Sequence, residues 1–169
     1  LRTTTSSYGG VIPKIYGNMC LAGNIIWAAP LRETSKEKEE KLSGSLHVTT
    51  TQINVTYEYF ATLAIAICEG EINEISRIWA GDKMLDLSKF GNDRDGPRSS
   101  GKMHIYLGSE NQLPDGIMLR HKDGLQALPE DYNGSCPAYR GLCYVVFEDL
   151  PLAEYNNRMP NFSFEVRRS

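Results

Sequence analysis

Gly96-Pro97-Arg98-Ser99-Ser100-Gly101-Lys102 has the G-x-x-x-x-G-K spacing in which backbone N–H groups cradle phosphates and a lysine reaches their outer oxygens. Met103 stands where a Ser or Thr hydroxyl would reach Mg²⁺. Such a loop also needs a buried strand before it and a helix after it. Here a polar loop precedes and a strand-like run follows, so the segment reads as a flexible loop. Asp93-x-Asp95-Gly96 resembles the middle of a calcium loop, but the first-ligand position falls on Gly91 and the bidentate-acid position on Lys102. A solvated turn is the expectation.

His47, His104 and His121 lie far apart in sequence with no zinc-ligand spacing, and His104, heading a strand, reads as a surface or core-edge residue. No G-x-S-x-G elbow is present, and no cysteine has a basic or histidine neighbour in sequence that marks a lowered pKa. Glu148-Asp149 or Glu69 with Glu71 could pair for glycosidase chemistry. Adjacent strand residues point to opposite faces, however, and acids beside Gly or Pro are usually turn-formers. Tyr57, Tyr59, Tyr144 and Phe147 fall inside strand patterns, where packing is the default over stacking on sugars or bases. The expectation is a chain with no catalytic centre, cofactor or metal site.

At 169 residues the chain is long enough for one well-cored domain without metal or disulfide staples. Eighteen basic residues against 21 acidic ones leave a net −3, no footprint for direct nucleic-acid binding or for coating an anionic membrane. Cys20, Cys68, Cys136 and Cys143 include no C-x-x-C and read as free, mostly buried thiols. No apolar run approaches a membrane span, so a soluble polypeptide without membrane insertion is expected. The opening Leu1-Arg2-Thr3-Thr4-Thr5-Ser6-Ser7 reads as part of a longer protein.

The elements that must position these residues are strands. Ile12–Gly17 and Leu21–Trp27 are β-branched and aromatic runs bracketed by glycines, with Pro13 placing the first at an edge or strand start. The alternating charges of Glu33–Lys41 predict a solvated hairpin tip rather than a helical turn, with flanks that come back together. From His47 to Cys68 period-two alternation predicts a long half-buried strand, Val55, Tyr57, Tyr59, Leu63, Ile65 and Ile67 sharing one face. Phe60–Cys68 has a weaker helical reading. Ile72–Trp79 and Met84–Leu87 read as strands about a turn at Ala80–Lys83. Residues 88–102 read as a polar loop, His104–Leu107 as a strand, and Leu113-Pro114-Asp115 as the start of a short helix stopping near Gly124. Leu125–Ser135 reads as turn-rich connection. Leu142–Glu148 and Phe162–Val166 close the chain as strands, Phe162 and Phe164 on one buried face that pairs back to the sheet begun at Ile12.

The run Tyr8-Gly9-Gly10-Val11-Ile12-Pro13-Lys14-Ile15-Tyr16-Gly17 through Gly23-Asn24-Ile25-Ile26-Trp27 resembles phage tail-tip hub proteins. So do Tyr59-Phe60-Ala61 through Cys68-Glu69-Gly70, Ile78-Trp79-Ala80, and Ala138-Tyr139-Arg140-Gly141 through Asn157-Arg158-Met159-Pro160-Asn161-Phe162-Ser163-Phe164-Glu165-Val166. These are the lambda J-like tip attachment proteins of long-tailed phages, and especially the tail host-specificity or hub proteins of gene transfer agents. Cys20 stands where that family usually has Arg, and Tyr155-Asn156 replaces a Phe-Gly on which a turn depends.

The resemblance implies a mainly β module spanning residues 1–169, with antiparallel sheets forming a barrel- or sandwich-like hub domain and at most one or two short helices. A subdivision into 1–88 and 103–169 would fall around the polar loop 89–102. It implies a structural part of a phage or gene-transfer-agent tail, made in the bacterial cytoplasm and threefold in the particle. Such a part joins the tail tube to distal tail proteins that recognise the host, while the isolated fragment can be a monomer. The candidate protein-interaction residues are Lys36 and Lys38, Arg94 and Arg98, Arg140 and Arg158. The alternative is a carbohydrate-binding β-domain contacting the host envelope, with Trp27 and Tyr139 as its rings.

Overall fold

A computed structural model of the chain describes residues 1–7, 9–43, 49–121 and 136–169. Tyr8, the strand start at His47, the helix stop at Gly124 and the connection Leu125–Ser135 lie outside the described residues. The strands are β1 (Thr4–Thr5), β2 (Gly17–Ala22), β3 (Asn24–Ala28), β4 (Arg32–Ser43), β5 (Thr49–Glu69), β6 (Glu74–Ala80), β7 (Lys83–Met84), β8 (Lys102–Leu107), β9 (Leu142–Pro151) and β10 (Phe162–Arg168). Among the described residues one helix, α1, covers Gly116–Arg120, and short 3-10 turns cover Leu87–Lys89 and Ala153–Tyr155.

Two sheets result, and neither closes into a barrel. The larger runs β1-β3-β5-β9-β8, with β4 pairing β5 off that path; the smaller runs β2-β10-β6-β7. Leu63, Ile65, Ile67, Val145 and Phe147 of the larger sheet pack against Ile78, Phe162, Phe164 and Val166 of the smaller. Phe147 and Phe162 stack with ring centroids 5.6 Å apart. This shared apolar layer is the sandwich arrangement, and the closing strand supplies Phe162 and Phe164 to it from one face, as the period-two spacing predicts. β10 pairs antiparallel with both β2 and β6, Phe164 standing opposite Leu21 and Ile78.

A second layer lies on the outer face of the larger sheet, where Trp27, Ala64, Tyr144 and Val146 meet Ile117 and Met118 of α1 and Cys136. β9 and residues 61–68 of β5 are therefore covered on both faces. The half-buried reading of β5 is corrected accordingly: Thr62, Ala64 and Ala66, which alternation sends to solvent, are buried alongside Leu63, Ile65 and Ile67. Small side chains on that parity leave room for the helix. The helical reading of Phe60–Cys68 also yields, because each of these residues lies in a strand.

The first strand is displaced from its expected position. Ile12–Tyr16 makes only one bridge, Lys14 with Glu69, and the paired strand begins at Gly17. Pro13 still anchors the segment through its carbonyl, which accepts from Glu69 N–H at 2.8 Å. The expected strand Leu21–Trp27 is broken at Gly23, where the chain leaves the smaller sheet and enters the larger. A Cβ at Gly23 would stand 2.5 Å from Ile65 Cγ2 and 3.0 Å from Phe164 Cε2, so the corner requires glycine for closeness of approach.

Candidate functional site

The alternating charges of Glu33–Lys41 are a full strand, not a hairpin tip. β4 runs antiparallel to β5 from Arg32↔Phe60 to Ser43↔Thr49, and its flanks do come back together. Residues 49–59 of β5 pair with β4 alone, so the two strands form an arm beyond the sandwich. Twelve residues at about 3.3 Å each make it about 40 Å long. Ile53, Val55 and Tyr57 on β5 are roughly half exposed, and Leu42 on β4 is exposed as well. Register places Glu33, Glu37 and Glu39 beside Tyr59, Val55 and Ile53 on one face, and Lys36 and Lys38 beside Thr56 and Asn54 on the other. Lys36 Nζ lies 2.8 Å from Glu58 Oε1 and Lys38 Nζ 3.4 Å from Glu40 Oε1.

The root of the arm is fixed by β9 and the turn after it. The Arg32 guanidinium lies 4.1 Å over the Phe60 ring and donates to Asp149 Oδ1 at 2.9 Å. Leu152 N–H donates to the Tyr59 carbonyl, and Asn157 Nδ2 to that of Tyr57. The turn expected to depend on glycine is made here by asparagine: Asn156 has φ 56° and Asn157 φ 54°, a left-handed conformation Asn tolerates well. Arg158 is exposed beyond it and closes the turn through its backbone N–H to Tyr155.

The loop before β8 is folded rather than flexible. Asn92 Oδ1 accepts from the N–H groups of Arg94 and Asp95 at 2.9 and 3.0 Å, an Asx turn, and Gly91 bonds Gly101 across the loop. Arg98 is spent inside it, donating to the Ser88 carbonyl at 2.9 Å and to Asp95 at 3.3 Å, while Arg94 is exposed. The phosphate-loop spacing has a structural cause. Gly101 has φ +88°, and a Cβ there would meet the Glu148 carbonyl oxygen at 2.1 Å. The aspartates of the calcium-like turn face the chain's own cations: Asp95 pairs with Arg98, and Asp93 faces Lys102, His104 and Arg120.

One polar cluster was not foreseen. Asp115 is fully buried; its Oδ1 accepts from Met118 N–H at 2.9 Å and so caps α1. Its Oδ2 accepts from His104 Nδ1–H at 2.5 Å and from the Tyr106 hydroxyl at 2.7 Å. Burial pushes the Asp115 carboxyl up, but those bonds outweigh it and hold the group below its ordinary value. The bond to Asp115 raises the His104 imidazole, against the effect of burial. His104 Nε2 lies 3.4 Å from Asp93, so both ring nitrogens face carboxylates, an arrangement that favours the protonated imidazole and ties β8 to α1 and to the loop. The N-cap signal at Asp115 was visible; its pairing with a histidine eleven residues earlier was not.

Arg140 is exposed, and its Nε donates to the Gln112 carbonyl at 3.4 Å. Lys36 and Lys38 thus share the arm, Arg94 and Arg98 share the loop, and Arg140 and Arg158 stand on two further turns. No ion pair or hydrogen bond among the described residues joins one of these groups to another. Trp27 is buried in the outer layer, 6.4 Å from the His121 ring, and Tyr139 lies edge-on to Tyr144. Neither is an open stacking platform. All four cysteines are free; Cys68, Cys136 and Cys143 are buried and Cys20 is exposed. Burial pushes the Cys136 thiol up to about 11. No helix among the described residues is long and apolar enough to cross a membrane.

The described residues form a two-sheet β-sandwich with a projecting ribbon, and comparison with solved structures finds a match to it. The chain is similar to a component of the virion of a native gene transfer agent particle, at 32% identity and a TM-score of 0.63 over 99% of its length. It spans 28% of that component. The likeness supports a structural part of a virion-type particle. No protein-family model and no curated protein matches the chain.

Proposed function

We propose that this chain is a module of a tail-tip hub, a structural part that joins a tail tube to distal host-recognition proteins and is present in three copies round the tail axis. The observation that carries this reading is the likeness to a gene-transfer-agent virion component along 99% of the chain. The hub-like runs at both ends and the β-sandwich agree with it. Its role is assembly rather than catalysis, and residues 1–169 act as one module. The arm with Lys36 and Lys38, the loop with Arg94 and Arg98, and the turns carrying Arg140 and Arg158 are its contact surfaces toward neighbouring copies and tail proteins.

Immunoelectron microscopy of particles from the source cell, with an antibody to this segment, tests the reading. Label at the tail tip is the expected result. Label along the tube or on the capsid, or no association with particles, would sink it.

A further inference from the structure

Cys68 on β5 and Cys143 on β9 stand directly opposite one another in the ladder between those strands. Both are fully buried, and both belong to the layer shared by the two sheets, with Ile67 and Val145. Opposed residues of an antiparallel ladder have Cα atoms about 4.5–5.5 Å apart, and a disulfide spans about 4.4–6.8 Å. The backbone therefore already holds the two residues at the spacing a disulfide needs. Cys20 stands opposite Glu165 and Cys136 lies in the outer layer, so neither shares this arrangement.

The pair is also placed to react. The Cys143 thiol donates a hydrogen bond to the Cys68 sulfur; that bond outweighs burial and lowers the Cys68 thiol, and the Arg168 guanidinium acts in the same direction. The same bond, together with burial, raises Cys143, which keeps its proton. The basic neighbour that Cys68 lacks in sequence is thus supplied by β10, where Arg168 Nη1 donates to the Glu69 carbonyl at 3.3 Å. Beyond the pair lie one rung, Glu69↔Leu142, and the bond from Gly70 N–H to the Gly141 carbonyl. Fraying of these two contacts admits a small oxidant without opening the interior.

We propose that Cys68 and Cys143 are an oxidation site, closing to a cross-strand disulfide when the chain meets a peroxide. The occasion rests on the hub reading: a particle built inside a reducing cell and released from it passes into oxidising surroundings. The Cys68 thiolate attacks one oxygen of hydrogen peroxide; the O–O bond breaks, and the second oxygen leaves as hydroxide, taking up the proton that Cys68 gave as it ionised. Cys68 is then a sulfenic acid, and one water has formed. The Cys143 sulfur attacks the Cys68 sulfur, the S–O bond breaks, and the departing hydroxide leaves with the Cys143 proton as a second water. Two thiols are oxidised and one peroxide is reduced to two waters. The product joins the end of β5 to the start of β9 and closes the loop 68–143, which limits the unfolded chain and so stabilises the folded one.

Peroxide treatment of the whole reduced chain under native conditions, followed by alkylation in denaturant and peptide mass spectrometry, tests the site. The expected product is a peptide joining Cys68 to Cys143, lighter than the two reduced peptides by two hydrogens, with Cys20 and Cys136 outside it. The urea midpoint should rise on oxidation and return with dithiothreitol. In Cys143→Ala, dimedone should label a sulfenic acid at Cys68 at least about tenfold more than it labels Cys143 in Cys68→Ala; equal labelling would overturn the two roles. The parent's peptides decide the bond whether or not these variants fold. The site is overturned if both thiols of the parent stay open to alkylation, if they pass to sulfinic acids without joining, or if either joins Cys20 or Cys136 instead. Tip label with both thiols free would remove the disulfide and keep the hub. The disulfide without tip label would do the reverse.

Discussion

Asp115 joins two elements with one carboxylate, taking bonds from His104 and Tyr106 of β8 and from the first turn of α1. Its folded pKa lies below the ordinary 3.8, so its contribution to stability is complete above that value and is lost as pH falls through the lowered one. His104 lies above its ordinary 6.5; its contribution is complete below 6.5 and is lost as pH rises through the raised value. Asp93, Asp115, Lys102, Tyr106 and Arg120 are the titratable groups around that ring, with Glu148 beyond Arg120. Urea unfolding across a pH series should show stability falling toward both ends, and Asp115→Asn should flatten both limbs. A profile unchanged in Asp115→Asn would show that the cluster carries no proton linkage. At Gly23, the Ala variant forces a methyl against Ile65 and Phe164 and should cost about 1–3 kcal/mol in the same assay.

Among the elements, the arm is the one whose stability comes least from the sandwich. A two-stranded ribbon is marginal alone in water, so hydrogen exchange should divide β5 in two. Amides of Ile53, Val55 and Tyr57 should exchange on the order of a hundredfold or more faster than those of Leu63, Ile65 and Ile67; uniform protection along β5 would contradict this. Strand content and the closing strand's Phe face were legible because period two and β-branched or aromatic composition report burial directly. Pairing was less legible. Ile15 is buried, as its pattern says, yet its segment makes only one bridge, because apolar spacing records what is covered and not which backbone lies alongside. Ala64 and Ala66 fall on the parity read as facing solvent because alanine marks neither face, yet both are buried, Ala64 in the layer that α1 completes. The charge run was placed in a hairpin correctly but taken for its tip, as nothing local distinguishes a charged strand from a charged turn.

Across the whole molecule, the layer shared by the two sheets predicts a single cooperative unit. Variants retaining only Trp27, in the outer layer, or only Trp79, on β6, should unfold at the same urea midpoint. Two separated midpoints would divide the chain into independent parts. Phe164→Ala, at the centre of the shared layer, should shift both probes together and cost about 3–5 kcal/mol. The 21 residues of β5 run from the arm into the sandwich without interruption. Load applied along the arm therefore enters the interior through one covalent strand. There it is met by the β5–β9 and β5–β3 ladders, whose bonds lie across the line of pull and yield in shear, many at once. A tension on the ribbon would be carried by the core before it opened any ladder pair by pair, as a tether is carried by its anchor.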